Sequence, residues 1–136
     1  MLQTRELFDS LASRTDHVDN QTLATAADAL SACEQAVTAC AVGMLAGKEA
    51  DELRDAVNRD LNCSDVACAT RRVLIRGTGA DHGLLAAQLQ ACVMACDDSH
   101  ELCARHAPRH EHCRLCSEAT ERAAAACREV IRRLRA

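Results

Sequence analysis

With 136 residues and a net charge of −4 (pI near 5.8), the chain is one domain by length, long enough for a bundle core. The acidic balance and the lack of interleaved aromatic and basic residues argue against nucleic acid as a partner. No apolar leader region opens the chain and no run approaches the ~18 apolar residues of a membrane span, so a cytoplasmic protein with no membrane partner is expected. Bulky core residues are scarce: one Phe and no Trp or Tyr stand beside 27 Ala and 10 Cys. An interior of Ala, Leu, Val and Cys is thin, so the helices pack closely or something else fills the middle.

Taken in order, residues 3–13 predict a short amphipathic helix with Leu7, Phe8 and Leu11 on one side, broken by Asp16 to Asn20. Asn20 then caps a first long helix that runs to Gly43 or Gly47 and carries Cys33, Cys40 and, one turn on, Met44. A second spans about Glu49 to Arg76, ends at RGTG, and carries Cys63 and Cys68, whose five-residue spacing points one at the axis and the other at a helix interface. Asp81 caps a third, 82–106, with Cys92, Cys96 and Cys103 on one face. Pro108 opens a fourth, 109–134, with Cys113, Cys116 and Cys127. The Arg-rich end of that helix, Arg128 to Arg135, suits the macrodipole. Nothing alternates with period two. The fold class is all-α: an antiparallel up-down-up-down four-helix bundle over residues 20–134, with a short extra N-terminal helix and linker over 1–19.

The expected compartment decides how the cysteines read. In a reducing cytoplasm a dense thiol set argues for metal or redox work before a disulfide framework. Helical i, i+7 pairs such as Cys33/Cys40 and Cys96/Cys103 are also about 10 Å apart, beyond the ~7 Å limit for a bridge. Placed by the ~1.5 Å helical rise, Cys40, Cys103, Cys113 and Cys116 share one end of the bundle, and Cys33, Cys63, Cys92 and Cys96 the middle. Cys68 and Cys127 lie lower. This is a ladder of sulfur whose richest rung adjoins His106, His110 and His112.

Structural zinc wants four converging ligands, commonly two C-x-x-C pairs, and the one pair here is Cys113/Cys116. Copper(I) is softer and suits thiolate and thioether sulfur. Charge separates them further: each Cu(I) that displaces a thiol proton leaves the core neutral, whereas zinc on four thiolates leaves two buried negative charges. His106 and His110, spaced i, i+4, and His112 can form a copper acceptor site, a zinc or nickel site, or a merely solvated helix end. His100 lies on the sulfur face as a candidate internal ligand, and Met44 as a thioether at the mouth.

The stretches LNCSDVACAT and ACVMACDDSHELCARHAPRHEHCRLCSEATERAAAACREV resemble the cysteine-rich four-helix-bundle copper storage proteins. The pattern there is C-x3-C-x2-C-x3-C, a His-rich turn, then H-C-x2-C-x3-C-x2-C-x3-C, and the likeness covers most of the chain from about residue 20. It implies an antiparallel bundle, commonly a homotetramer, that stores Cu(I) on inward thiolates loaded from one end. Small outer residues at Ala86, Ala87, Ala91 and Ala95 leave room for such packing. Ser99, Thr120 and Ala123 stand where the pattern expects cysteine, as do Ala36 and Ala67, with Cys68 offset by one. One charge per remaining thiol then caps the load near ~10 Cu(I).

Enzyme readings find little support. A di-iron bundle needs E-x-x-H, which does not occur, and the Cys113/Cys116 pair lacks the strands of a thioredoxin context. Two alternatives stay open beside Cu(I) storage: a bundle for zinc or a small ligand, and a thiol-redox or structural protein.

Overall fold

The computed structural model describes residues 3–11, 18–76 and 82–136. The expected break at Asp16, the RGTG turn after Arg76 and the Asp81 cap lie outside these residues, at least in part. Five helices follow: α1 (Thr4–Asp9), α2 (Asn20–Ala46), α3 (Arg54–Arg76), α4 (Gly83–His106) and α5 (Glu111–Leu134). The long helices pack in a ring, α2 on α3, α3 on α4, α4 on α5 and α5 back on α2, while α1 lies against α2. Cross-links fall with opposite chain sense at every seam. Across α2 and α3, Glu34 pairs with Arg71 and Thr38 with Ser64; across α3 and α4, Arg59 with Asp98 and Thr70 with Gln88. Across α4 and α5, Asp97 pairs with Arg128 and Cys103 with Cys116; across α5 and α2, Arg133 with Asp19 and Cys113 with Cys40. The bundle is therefore antiparallel, up-down-up-down, and among the described residues no strand occurs.

Each long helix buries one stripe at the period of the helix. On α2 it is Leu30, Cys33, Val37, Cys40 and Met44; on α3, Ala56, Asp60, Cys63, Ala67, Thr70 and Leu74. On α4 it is Leu85, Leu89, Cys92, Cys96, Ser99 and Cys103, and on α5 Cys113, Cys116, Thr120, Ala123, Cys127 and Val130. Buried alanines on the flanks of these stripes, Ala24, Ala26, Ala27, Ala41 and Ala124, let the helices approach closely without bulky side chains. Leu30, Leu74, Leu85, Leu89 and Val130 gather at one end as an aliphatic plug, each at most 1% exposed. The sulfurs occupy the rest.

Several boundaries differ from the sequence reading. The α2 cap is Asp19, whose carboxylate accepts the Thr22 N–H at 2.7 Å, and Asn20 is already helical. α3 starts at Arg54, not 49, because Leu53 N–H bonds the carbonyls of Glu49 and Ala50 in a tight turn that drops Leu53 into the core. α5 starts at Glu111: the Arg109 and His110 N–H groups both bond the His106 carbonyl, so the reversal carries Pro108 and leaves His110 extended. α1 buries Phe8 alone; Leu11 lies past its end, exposed. The expectation that no stretch is apolar enough for a membrane span also needs correcting. α2 holds an 18-residue window of mean hydropathy 1.4, of which 33% is buried inside the bundle. Its alanines raise the hydropathy without bulk, and its inward face packs against three other helices.

Candidate metal centre

The stripes bring nine of the ten cysteines to full burial, Cys33, Cys40, Cys63, Cys92, Cys96, Cys103, Cys113, Cys116 and Cys127, each 0% exposed. All are free thiols. Eight of their sulfurs form two groups of contacts along the axis. Near the α2 and α4 C-terminal ends, Cys40 Sγ lies 3.7 Å from Cys113 and 4.0 Å from Cys103, and Cys103 lies 3.2 Å from Cys116. Deeper, Cys63 is 3.7 Å from both Cys33 and Cys96, and Cys96 is 4.0 Å from Cys92. Beyond Cys92, Cys127 is the last buried thiol before the aliphatic plug, its pKa pushed up by Cys92 and by burial.

One candidate ligand among these sulfurs was not anticipated. Asp60 is fully buried and points a carboxylate into the upper sulfurs, accepting from Ser99 Oγ at 2.6 Å, Cys103 at 3.3 Å and Cys116 at 3.6 Å. Its second oxygen, Oδ2, has no hydrogen-bond partner. Its position three residues before Cys63 puts it on the same stripe, the one sequence signal that could have found it. Burial, reinforced by the charge of Cys103, pushes its pKa up to about 7. The ligand atoms of Cys40, Asp60, Cys103 and Cys116 all lie within 4.8 Å of one another, as do those of Cys33, Cys63 and Cys96, and those of Cys40, His112 and Cys113.

Close thiol–thiol contacts and burial set the electrostatics within the clusters. Cys103 and Cys40 nearby lower the Cys116 pKa, and Cys63 and Cys96 lower that of Cys33, while Cys40 and Cys63 are pushed well up by their neighbouring cysteines and by burial. Burial holds Cys113 at about 11. Metal-free, most of the core is therefore protonated and neutral.

The histidines divide. His112 Nδ1 sits 3.3 Å from Cys40 Sγ and 3.5 Å from Cys113 Sγ. Burial, then the nearby His110, lowers its pKa, which keeps the ring neutral and a lone pair free for a soft cation. His110 stacks on His112 and hydrogen-bonds Glu49 at 3.2 Å; His106 accepts from Arg109. These two flank the chain reversal, not a single helical face. His100, the expected internal ligand, directs Nδ1 to the Ser117 carbonyl at 2.7 Å and joins none of the three ligand groups.

Met44 is buried above Cys40, whereas Met94 is 69% exposed. Cys68 stands apart from the core: half-buried, it faces Arg71 at 3.9 Å beside the Arg71–Glu34 pair that ties α3 to α2. Of the positions read as lost thiols, Ser99, Thr120, Ala123 and Ala67 do line the core at 0% exposure. Ala36 does not, because the α2 stripe passes through Val37 instead.

The profile of the copper storage protein family matches residues 19–132. The chain belongs to the copper storage protein family. Among solved structures it is similar to the copper storage protein Ccsp from Streptomyces lividans loaded with 10 copper equivalents, at 36% identity and a TM-score of 0.92, covering 96% of this chain and 98% of that one. A five-copper structure of the cytosolic Streptomyces lividans protein aligns at 39% identity and a TM-score of 0.80, over 82% of this chain and 93% of that one. No curated protein matches the sequence. In this chain a carboxylate and an imidazole lie with the upper sulfurs.

Proposed function

We propose that this protein stores or buffers copper(I) in the cytosol, taking it up at the His112 end and holding it on thiolates along the bundle axis. The observation that carries the reading is the set of nine fully buried thiols, eight of them in two contacting groups along the axis. A hard or strongly charged ion would leave such a core charged, whereas each Cu(I) replaces one proton and leaves it neutral. Nine core thiols and the Asp60 carboxylic acid can together release ten protons, so the charge-neutral load is ~10 Cu(I) per chain. His112 adds a neutral ligand at the mouth, and the unpartnered Asp60 Oδ2 offers an oxygen inside the upper cluster.

The role proposed is sequestration without catalysis. A homo-oligomer, tetrameric as the family resemblance implies, fits the exposed apolar side chains of Leu84 and Met94 on α4 and of Val42 and Leu45 on α2. Light scattering of the purified protein reads that state directly.

A second reading, zinc in the upper cluster, draws on the four converging atoms of Cys40, Asp60, Cys103 and Cys116. Anaerobic Cu(I) titration against a strong chelator, repeated with Zn(II) present, separates the two. More than about four tightly held Cu(I) per chain supports storage; one or two ions, with zinc preferred, refutes it.

A further inference from the structure

Glycine inside a helix is unfavourable relative to alanine, so the one at position 43, a turn beyond Cys40 on α2, needs a local reason. The His112 ring supplies it. A β-carbon at Gly43 would meet His112 Cδ2 at 2.9 Å, Nε2 at 3.1 Å and Cγ at 3.2 Å, whereas one at Gly47 would meet only backbone oxygens at 3.6 and 3.7 Å. Carbon atoms rest comfortably at about 3.5–4.0 Å, so an alanine at 43 would force the ring back by several tenths of an ångström.

The ring has little room to yield. Its Nδ1 corner faces Cys40 Sγ at 3.3 Å and Cys113 Sγ at 3.5 Å, opposite the edge that rests on Gly43. The His110 ring stacks on it with centroids 5.2 Å apart and planes 22° from parallel. His110 is itself held by Glu49, in the turn that follows α2. Sulfur, helix backbone and a tethered imidazole thus box His112 in, and turning Nε2 inward would require it to leave the box.

We propose that Gly43 is a positioning residue for copper uptake: by leaving its side-chain space to His112, it fixes Nδ1 over Cys40 and Cys113 as the imidazole atom that receives metal at the mouth. The inference rests on the copper reading above. It assigns to a residue without a side chain the choice of ligand atom, with Glu49 and His110 closing the seat from outside.

The test compares Gly43→Ala and Gly47→Ala in the full chain, each in native and His112→Ala backgrounds. Two quantities are read: the long-range 1H–15N ring spectrum of His112 in metal-free protein, and affinity for the first Cu(I) equivalent against a chelator. Gly43→Ala is expected to shift the His112 ring resonances before any metal is added and to weaken the first Cu(I) about 10-fold, the effect of losing a ligand's orienting partner. Gly47→Ala should change neither, and in the His112→Ala background Gly43→Ala should cause no further loss. If the collision prevents folding, His112→Ala should rescue it. Native ring resonances and affinity in Gly43→Ala, an equal loss in both backgrounds, or no rescue would overturn the proposal. A native protein that takes up no Cu(I) overturns the storage reading as well, an outcome distinct from the metal-free spectrum.

Discussion

Asp60→Asn offers the sharpest check on the electrostatics of the core. The native carboxyl is fully buried, and burial raises its pKa from 3.8 to about 7. A folded-state pKa above the unfolded one means that folding favours the protonated form. The group therefore imposes no penalty below about pH 4, and an increasing one as pH rises toward 7. A rise of about three units at 1.36 kcal/mol each corresponds to roughly 4 kcal/mol by pH 8, of which about 2–3 kcal/mol develops between pH 5 and pH 8. Asparagine keeps the shape and the acceptor for Ser99 Oγ but cannot ionise. The stability difference between the variant and the native protein should thus grow by about 2–3 kcal/mol in favour of the variant across that window. Urea unfolding of the reduced, metal-free proteins, followed by far-ultraviolet circular dichroism at several pH values, measures it. Thiols that titrate in the same range cancel in the difference to first order. Parallel pH profiles, or a native protein that gains on the variant as pH rises, would refute the assignment of a strained acid to this core. The same substitution should lower the Cu(I) load by about one, which would give the strain a functional reason.

Ser99→Cys places a sulfur where Ser99 Oγ already lies 3.8 Å from Cys116 and 4.0 Å from Cys103, and should raise the anaerobic Cu(I) load by about one. An unchanged load would argue against charge neutrality as the limit. Cys68→Ser should leave that load as it was, whereas Cys63→Ser, which removes a thiol between Cys33 and Cys96, should lower it by about one or more. Equal losses from the two would contradict the placement of Cys68 outside the core. Leu30→Ala, in the aliphatic plug at 0% exposure, should destabilise the metal-free protein by about 2–5 kcal/mol in denaturant titration. A loss well under that would show that the end of the bundle distant from His112 is loosely packed.

Spacing alone was enough to place most of the sulfur. Cys92, Cys96 and Cys103 repeat at intervals that only a helix brings to one face, and Cys113, Cys116 and Cys127 do the same on the next helix, so the stripes could be read directly. Cys68 follows the same rule: its five-residue spacing from Cys63 already sent one of the two thiols to a helix interface. One residue off the α3 stripe turns a side chain by about 100°, enough to move a thiol from the axis to the seam beside Arg71. His100 is held differently: its Nδ1 is hydrogen-bonded to the Ser117 backbone carbonyl on α5 and joins none of the ligand groups.

By itself the sequence determined four helices of matched length, their antiparallel order, and stripes of inward-facing thiols, because helical period and short connections are local properties of the chain. Tertiary structure decided the contents of the upper cluster. Asp60 reads in the sequence as one more charged residue on a polar helix, and Gly43 as a possible helix end. Asp60 becomes a buried acid among thiols only when α2, α4 and α5 close over α3 and remove water from it. Gly43 becomes the seat of His112 only when α5 lays that ring across α2. Burial and the gap between two helix backbones are set by neighbours distant in sequence, and no spacing along one strip of chain encodes them.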